Sequence, residues 1–177
     1  MKSGCSLVDL AQELERQLAT KQDLVVPSSL MRCHTDEAGS CRMMIEAKDG
    51  GGEYGMTELA RRQLAEKLKI PFAYFERMRT EQPALLDGNV NTWLQTDPER
   101  RMLRTLDGQV RAVLSDRYRR LDHYDLAEHV LPFLQRLPDA RFESVELTET
   151  KMYIKVVTPR VEYEIAPGDV VQAGIVI

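Results

Sequence analysis

The sequence predicts an α+β fold, and three patterns carry the prediction. Leu7, Leu10, Ala11, Leu14 and Leu18 repeat at helical spacing, as do apolar sets within 57–96 and 124–137. Apolar and polar residues alternate near 141–148, 151–158, 161–165 and 170–177, the mark of strands with one buried face. Between these regions, Leu106-Asp107-Gly108-Gln109 carries the Asp-Gly pair of a two-residue hairpin loop. Helices grouped in the first two thirds, with antiparallel strands last, give the α+β arrangement, and the hairpin at 101–115 is expected in one antiparallel sheet with the C-terminal strands.

Each element has a local reason. Ser6-Leu-Val-Asp9 has capping-box spacing, and Cys5 is placed to staple onto Leu10, so an N-terminal helix starts here. Short strands are expected at 24–27 and around Met43 and Ile45. Residues 28–40 read as a loop or a poorly formed strand, and 48–53 as a flexible glycine-rich turn. Thr57 caps a helix to about Lys69, Ile70-Pro71 breaks it, and Pro71 opens a second helix to about Arg79. A third helix starts near Pro83, with Leu86, Val90, Trp93 and Leu94 inward, and Asp97-Pro98 ends it. Leu64, Leu68, Ile70, Phe75, Met78, Val90 and Trp93 are expected in one core, making 57–96 a three-helix unit. In the hairpin at 101–115, simple alternation puts Leu103, Thr105, Val110, Ala112 and Leu114 on the core face. It places Arg104 directly opposite Arg111 on the other. Residues 1–177 read as a single domain. Because 170–177 is an apolar run with no cap or polar tail, it is expected to be cut short at its C-terminus.

Composition narrows the function. The chain has 177 residues and a net charge of −4, yet 100–120 holds seven arginines against two aspartates, a local +5. Arginine grips phosphate bidentately and stacks on flat rings, so this island points to a polyanion-facing surface. Like charges opposed across strands destabilise a sheet unless an anion lies between them. A phosphate could fill that place; so could a carboxylate of the chain, on a solvated hairpin face. No apolar run approaches ~20 residues, so no membrane span is expected. The three cysteines are an odd, sparse set and fit a reducing cytoplasm.

Tyr118 between Arg117 and Arg119 has the composition of a single-strand groove, where cations follow the backbone and rings stack on bases. Packing at a strand end explains the same tyrosine. Lys151, Tyr153 and Lys155 offer a second basic face, or the outer side of a half-buried sheet. Residues 61–79 follow the apolar skeleton of a helix-turn-helix, although Lys69 stands where Gly is commonest at the turn and any short αα-corner has this spacing. Cys33-His34 and Cys41 lack a knuckle and a fourth ligand, so no metal is expected. No phosphate loop, nucleophile elbow or paired carboxylate set is found, so neither catalysis nor a cofactor is expected.

Five strings resemble a known family: MTELARRQLAEKLKIP at 56–71, YFERM at 74–78, NVNTWL at 89–94, RTLDGQVRAVLSDRYRRLD at 104–122 and GDVVQAGIVI at 168–177. They are similar to a phage- and plasmid-associated bacterial family of uncharacterised proteins, the domain of unknown function numbered nine-three-two. The resemblance covers 56–177 and implies mobile-element biology, a cytoplasmic setting and a longer protein with further strands. It implies no activity. A looser analogy links a small α+β protein with a basic hairpin to the single-strand annealing superfamily.

The expected function is therefore nucleic-acid binding, with single-stranded DNA favoured, in recombination or annealing. The expected contacts are Arg101, Arg104, Arg111, Arg117, Tyr118, Arg119, Arg120, Lys151 and Lys155. The sequence leaves self-association into a homo-oligomer open. Two other readings stand beside this one: a protein-interaction or regulatory module whose basic surface meets an acidic partner, and duplex binding through the helix-turn-helix.

Overall fold

The computed structural model describes residues 2–3, 6–148 and 151–177. In chain order the elements begin with β1 (Lys2–Ser3), α1 (Leu7–Thr20), β2 (Gln22–Pro27), a 3-10 turn (Ser28–Leu30), β3 (Met31–Thr35), β4 (Cys41–Ile45) and β5 (Gly52–Met56). Three helices follow, α2 (Glu58–Lys67), α3 (Phe72–Glu81) and α4 (Pro83–Thr96), and then the hairpin of β6 (Arg100–Leu106) and β7 (Gln109–Ser115). The chain ends with α5 (His123–Gln135), β8 (Arg141–Leu147), β9 (Met152–Ala166) and β10 (Asp169–Val176). The α+β class holds. The chain, read from sequence as one domain, forms two compact units: Thr20–Arg119, and Met1–Ala19 with Arg120–Ile177.

The Thr20–Arg119 unit is built on a six-stranded sheet of order β2-β6-β7-β5-β4-β3. Its pairs are antiparallel except β5 with β7, which run parallel. Helices α2, α3 and α4 bury Leu64, Phe75, Met78, Leu86, Val90 and Leu94 against Met31, Met43, Leu103, Val110 and Val113 of the strands. Thr57 caps α2, its hydroxyl accepting from the Ala60 amide at 3.3 Å. Lys69 ends the turn after α2 in the left-handed region, with φ of 57°. The Ile70 amide reaches back to the Ala65 carbonyl at 2.8 Å, a Schellman-type closure that normally selects Gly at this place.

The hairpin turns at Asp107-Gly108, whose φ values of 51° and 73° are those a two-residue loop demands. Its register departs from simple alternation. Thr105 pairs with Val110, but Arg104 pairs with Ala112, so Arg111 is the extra residue of a β-bulge. Beyond the bulge the faces exchange: Val113 is buried in the core, while Ala112 and Leu114 are half-buried. The expected pairing of Arg104 with Arg111 does not form, and the bulge removes the like-charge opposition.

Of the two readings of 28–40, loop or poorly formed strand, the strand forms, as β3, and β5 begins inside the presumed turn at 48–53. β3 lies at the sheet edge, and α4 blunts that edge. The Cys33 amide donates to Asn91 Oδ1 at 2.7 Å, and Asn91 Nδ2 donates to the Cys33 carbonyl at 2.9 Å. The Thr35 amide and hydroxyl donate to the Asp87 carboxylate at 2.9 and 2.8 Å. Side chains of a helix thus satisfy an edge that would otherwise be open to another strand. Asn91→Ala should cost about 2 kcal/mol in urea unfolding, because it strands a buried N–H and C=O together. A cost under about 0.5 kcal/mol would mean that water replaces the amide.

The second unit carries a separate, wholly antiparallel sheet of order β1-β8-β9-β10. The C-terminal strands therefore do not join the hairpin's sheet. Leu10 and Leu14 of α1 and Ala127 and Leu134 of α5 pack on Val145, Leu147, Ile154 and Val156. The Ser6–Asp9 capping box forms, with amide-to-side-chain distances of 3.0 and 3.1 Å. Cys5, expected to staple this helix, lies outside the described residues. The runs 151–158 and 161–165 form one long strand, because a register shift against β10 absorbs 159–161 and its proline. Val161 in this shift, and Tyr163, Ile165 and Val170 past it, are exposed on the β9–β10 hairpin. No helix among the described residues is long and apolar enough to cross a membrane.

Candidate nucleic-acid interface

The structure sorts the arginine island into buried and exposed members. Arg104 faces Asp23 across the β2–β6 pair and donates from Nε to Oδ1 at 2.9 Å. The two side chains are only 8% and 6% exposed, so Arg104 is a structural cation with no surface to offer phosphate. A carboxylate of the chain does neutralise Arg104, but in a buried pair with Asp23 rather than on a solvated face opposite Arg111. Arg111, at the bulge, is half-buried. Arg101 is mostly covered and paired with Glu99. Arg117, Tyr118 and Arg119 are exposed after β7, as is Arg120 at the start of the second unit. Lys151, just before β9, and Tyr153 on it are exposed, alternating with buried Met152 and Ile154. Lys155 beside them pairs with Glu143 at 2.7 Å.

The largest departure from expectation is Trp93. It was expected in the core, yet it is 51% exposed. Leu86, Val90 and Leu94 fill the inward stripe of α4 by themselves, and Trp93 lies on the flank with Asn89 and Gly88. That complete stripe was the signal in the sequence that Trp93 was surplus to the core.

Trp93 forms one wall of a cavity of about 520 Å³. Around it stand Lys67, Lys69, Tyr74, Asn89 and Arg101. The left-handed turn at Lys69 brings these residues together: it ends α2, turns its two lysines outward and sets the first turn of α3 beside the flank of α4. Tyr74 is 45% exposed, so two aromatic rings border one depression. Neither Lys67 nor Lys69 forms an ion pair with any described residue. Asp97 and Glu99 also line the cavity, leaving three cations against two carboxylates. A shallower depression of about 370 Å³ lies along α4 past Trp93, sharing Asn89 and Trp93 with the first. Asn89 Oδ1 is buried and has no hydrogen-bond donor, the only such side-chain atom among the described residues.

The groove and the exposed part of the arginine island meet at one end of the hairpin. Arg101 in the groove wall pairs with Ser115 on β7. The turn that carries Arg117, Tyr118 and Arg119 starts there, with the Tyr118 amide bonded to the Ser115 carbonyl at 3.1 Å.

The α2–α3 corner has helix-turn-helix spacing, but the cations on α3 are occupied. Arg77 pairs with Glu81 at 2.9 Å, and Arg79 with Glu76 at 2.9 Å. Arg61 of α2 also holds Glu76, at 2.9 Å, and the Arg62 guanidinium lies 4.3 Å over the Phe72 ring. Base-edge readout needs donors free to reach a groove, and these guanidiniums are held within the corner.

Among the described residues no group of three or more His, Cys, Asp or Glu is gathered as a metal ion would require. Comparison of the chain with family models, curated proteins and solved structures finds no significant match.

Proposed function

We propose that this chain binds single-stranded nucleic acid, DNA foremost, along the groove between the α2–α3 corner and α4. The observation that carries the reading is Trp93: the chain's one tryptophan, half exposed beside Tyr74 and two unpaired lysines. Stacking platforms flanked by cations are how proteins hold single strands without sequence preference. Bases stack on Trp93 and Tyr74. Lys67 and Lys69 neutralise phosphates in the groove, Arg117 and Arg119 add two contacts where the strand continues, and Tyr118 lies between them. The family resemblance supports a setting in a phage or plasmid, where annealing or recombination needs such a protein.

Fluorescence anisotropy with a labelled oligothymidylate tests this. Four phosphate contacts give a log–log salt slope of roughly −3, at about −0.7 for each. Lys67→Glu with Lys69→Glu should flatten that slope to roughly −1.4 by removing two contacts. Both residues lie at the surface, so the fold should persist. An absence of salt-sensitive affinity for any single-stranded DNA or RNA would refute the proposal and leave the basic surface to a protein partner. Strong preference for a duplex would return the corner to groove reading.

A further inference from the structure

We propose that Cys33 and Cys41 form a thiol–disulfide site that accepts a small anionic disulfide at Cys41 and resolves it through Cys33. The two residues sit on neighbouring strands, diagonally offset: Cys33 pairs with Met43, and Cys41 with Thr35. Their Sγ atoms are 3.2 Å apart, within reach of one S–H···S hydrogen bond, and both thiols are free. Cys41 Sγ also lies 3.7 Å from Met56 Sδ. The sequence marked these cysteines only as a failed metal set. The strand offset is what brings them together.

Both thiols are buried, and they differ in what lies beside them. Cys41 lines an open polar cavity of about 580 Å³, whereas Cys33 lies behind it under α4. Arg42, Arg61 and Arg79 also border this cavity. Glu53 pairs with Arg42, and Glu76 bridges Arg61 and Arg79, so three guanidiniums face two carboxylates. The surplus charge favours an anionic visitor such as a disulfide that bears carboxylates.

The pair is also asymmetric in acidity. The Cys41 thiol is held below its ordinary value, first by the hydrogen bond from Cys33 and then by Thr35 and the Arg61 charge, against burial and the Asp87 carboxylate. The Cys33 thiol is pushed up by the same bond to Cys41, by burial and by Asp87. Of the two, Cys41 gives up its proton more readily. A lowered thiol at the wall of a cavity, backed by a second thiol, is the arrangement of a nucleophile and its resolving partner.

The chemistry balances with a low-molecular-weight disulfide as oxidant. The Cys41 thiolate attacks one sulfur of RS–SR, a Cys41–SR bond forms and one thiolate leaves. That leaving thiolate or solvent takes the proton of Cys33. The Cys33 sulfur then attacks Cys41 Sγ, the Cys33–Cys41 bond forms and the second RS⁻ leaves. Two protein thiols are oxidised and one disulfide is reduced to two thiols.

The test uses the full chain with Cys5→Ser, so that the third cysteine cannot exchange. Folded protein is equilibrated with reduced and oxidised glutathione at a series of ratios, quenched by alkylation and weighed intact. The expected result is loss of two hydrogens in step with the ratio, with a Cys33–Cys41 linkage in the peptide map. Adding Cys33→Ser should stop the reaction at a glutathione adduct on Cys41. Adding Cys41→Ser should slow any adduct by about ten-fold or more. The inference is overturned if both thiols stay alkylatable at the most oxidising ratio while the same protein oxidises in denaturant. It is equally overturned if Cys33 reacts first. The first comparison needs no change at either thiol, so it stands whatever the variants do.

Discussion

Replacing Arg104 with Ala should destabilise the protein by about 3–5 kcal/mol, the largest single-residue effect expected here. The guanidinium and the Asp23 carboxylate are almost wholly buried and face each other across two strands. Removing the cation leaves that carboxylate in a low-dielectric setting, where an unpaired charge is far costlier than a missing contact. Asp23→Ala should cost a similar amount for the mirror reason. Changing both together, Asp23→Leu with Arg104→Met, should recover most of the loss, because desolvating two charges consumes much of what their attraction returns. Urea unfolding followed by circular dichroism reads all three. If Arg104→Ala costs less than about 1 kcal/mol, water enters the pair and the residue belongs with the surface arginines.

The second large effect falls on binding. Trp93→Ala should weaken affinity for an oligothymidylate by about 10- to 100-fold, since a base stacked on an aromatic ring contributes about 1–3 kcal/mol. Stability should change little, because half the ring is already in water and Leu86, Val90 and Leu94 keep the inward stripe. Tyr74→Ala should weaken binding in the same direction. The salt slope should stay that of the parent for both, since neither side chain neutralises a phosphate. That separates them from the Lys67 and Lys69 changes, which act on the slope. Anisotropy at several salt concentrations resolves the two classes.

What was legible in the sequence was mostly local. The Ser6–Asp9 box, the Thr57 cap, the break at Ile70-Pro71 and the Asp107-Gly108 loop each depend on residues a few positions apart, and each forms where the sequence places it. The bulge at Arg111 was hidden because alternation counts residues and cannot see the strand beside them. Asp23, 81 residues away, is what draws Arg104 inward. β3 was legible only as one of two readings because its inward residues are Met31, Cys33 and Thr35 rather than a plain apolar run. Its edge is finished by side chains of α4, more than 50 residues on. The candidate site shows the same division. Arg117, Tyr118 and Arg119 could be picked out as an exposed basic and aromatic cluster from composition alone. The groove could not, because Lys67, Tyr74, Trp93 and Arg101 come from four elements joined by a left-handed turn at a residue that is not glycine. The dithiol needed the strand offset between 33 and 41, which no spacing rule reveals.

The most direct measurement uses the single tryptophan itself. Unlabelled oligothymidylate is titrated into the unmodified protein while Trp93 emission is followed, first at low salt and then with added salt. If bases stack on Trp93, emission is quenched saturably, the midpoint matches the anisotropy affinity, and added salt reverses the quench. Emission that stays constant while anisotropy reports binding would place the strand elsewhere on the protein and contradict the groove.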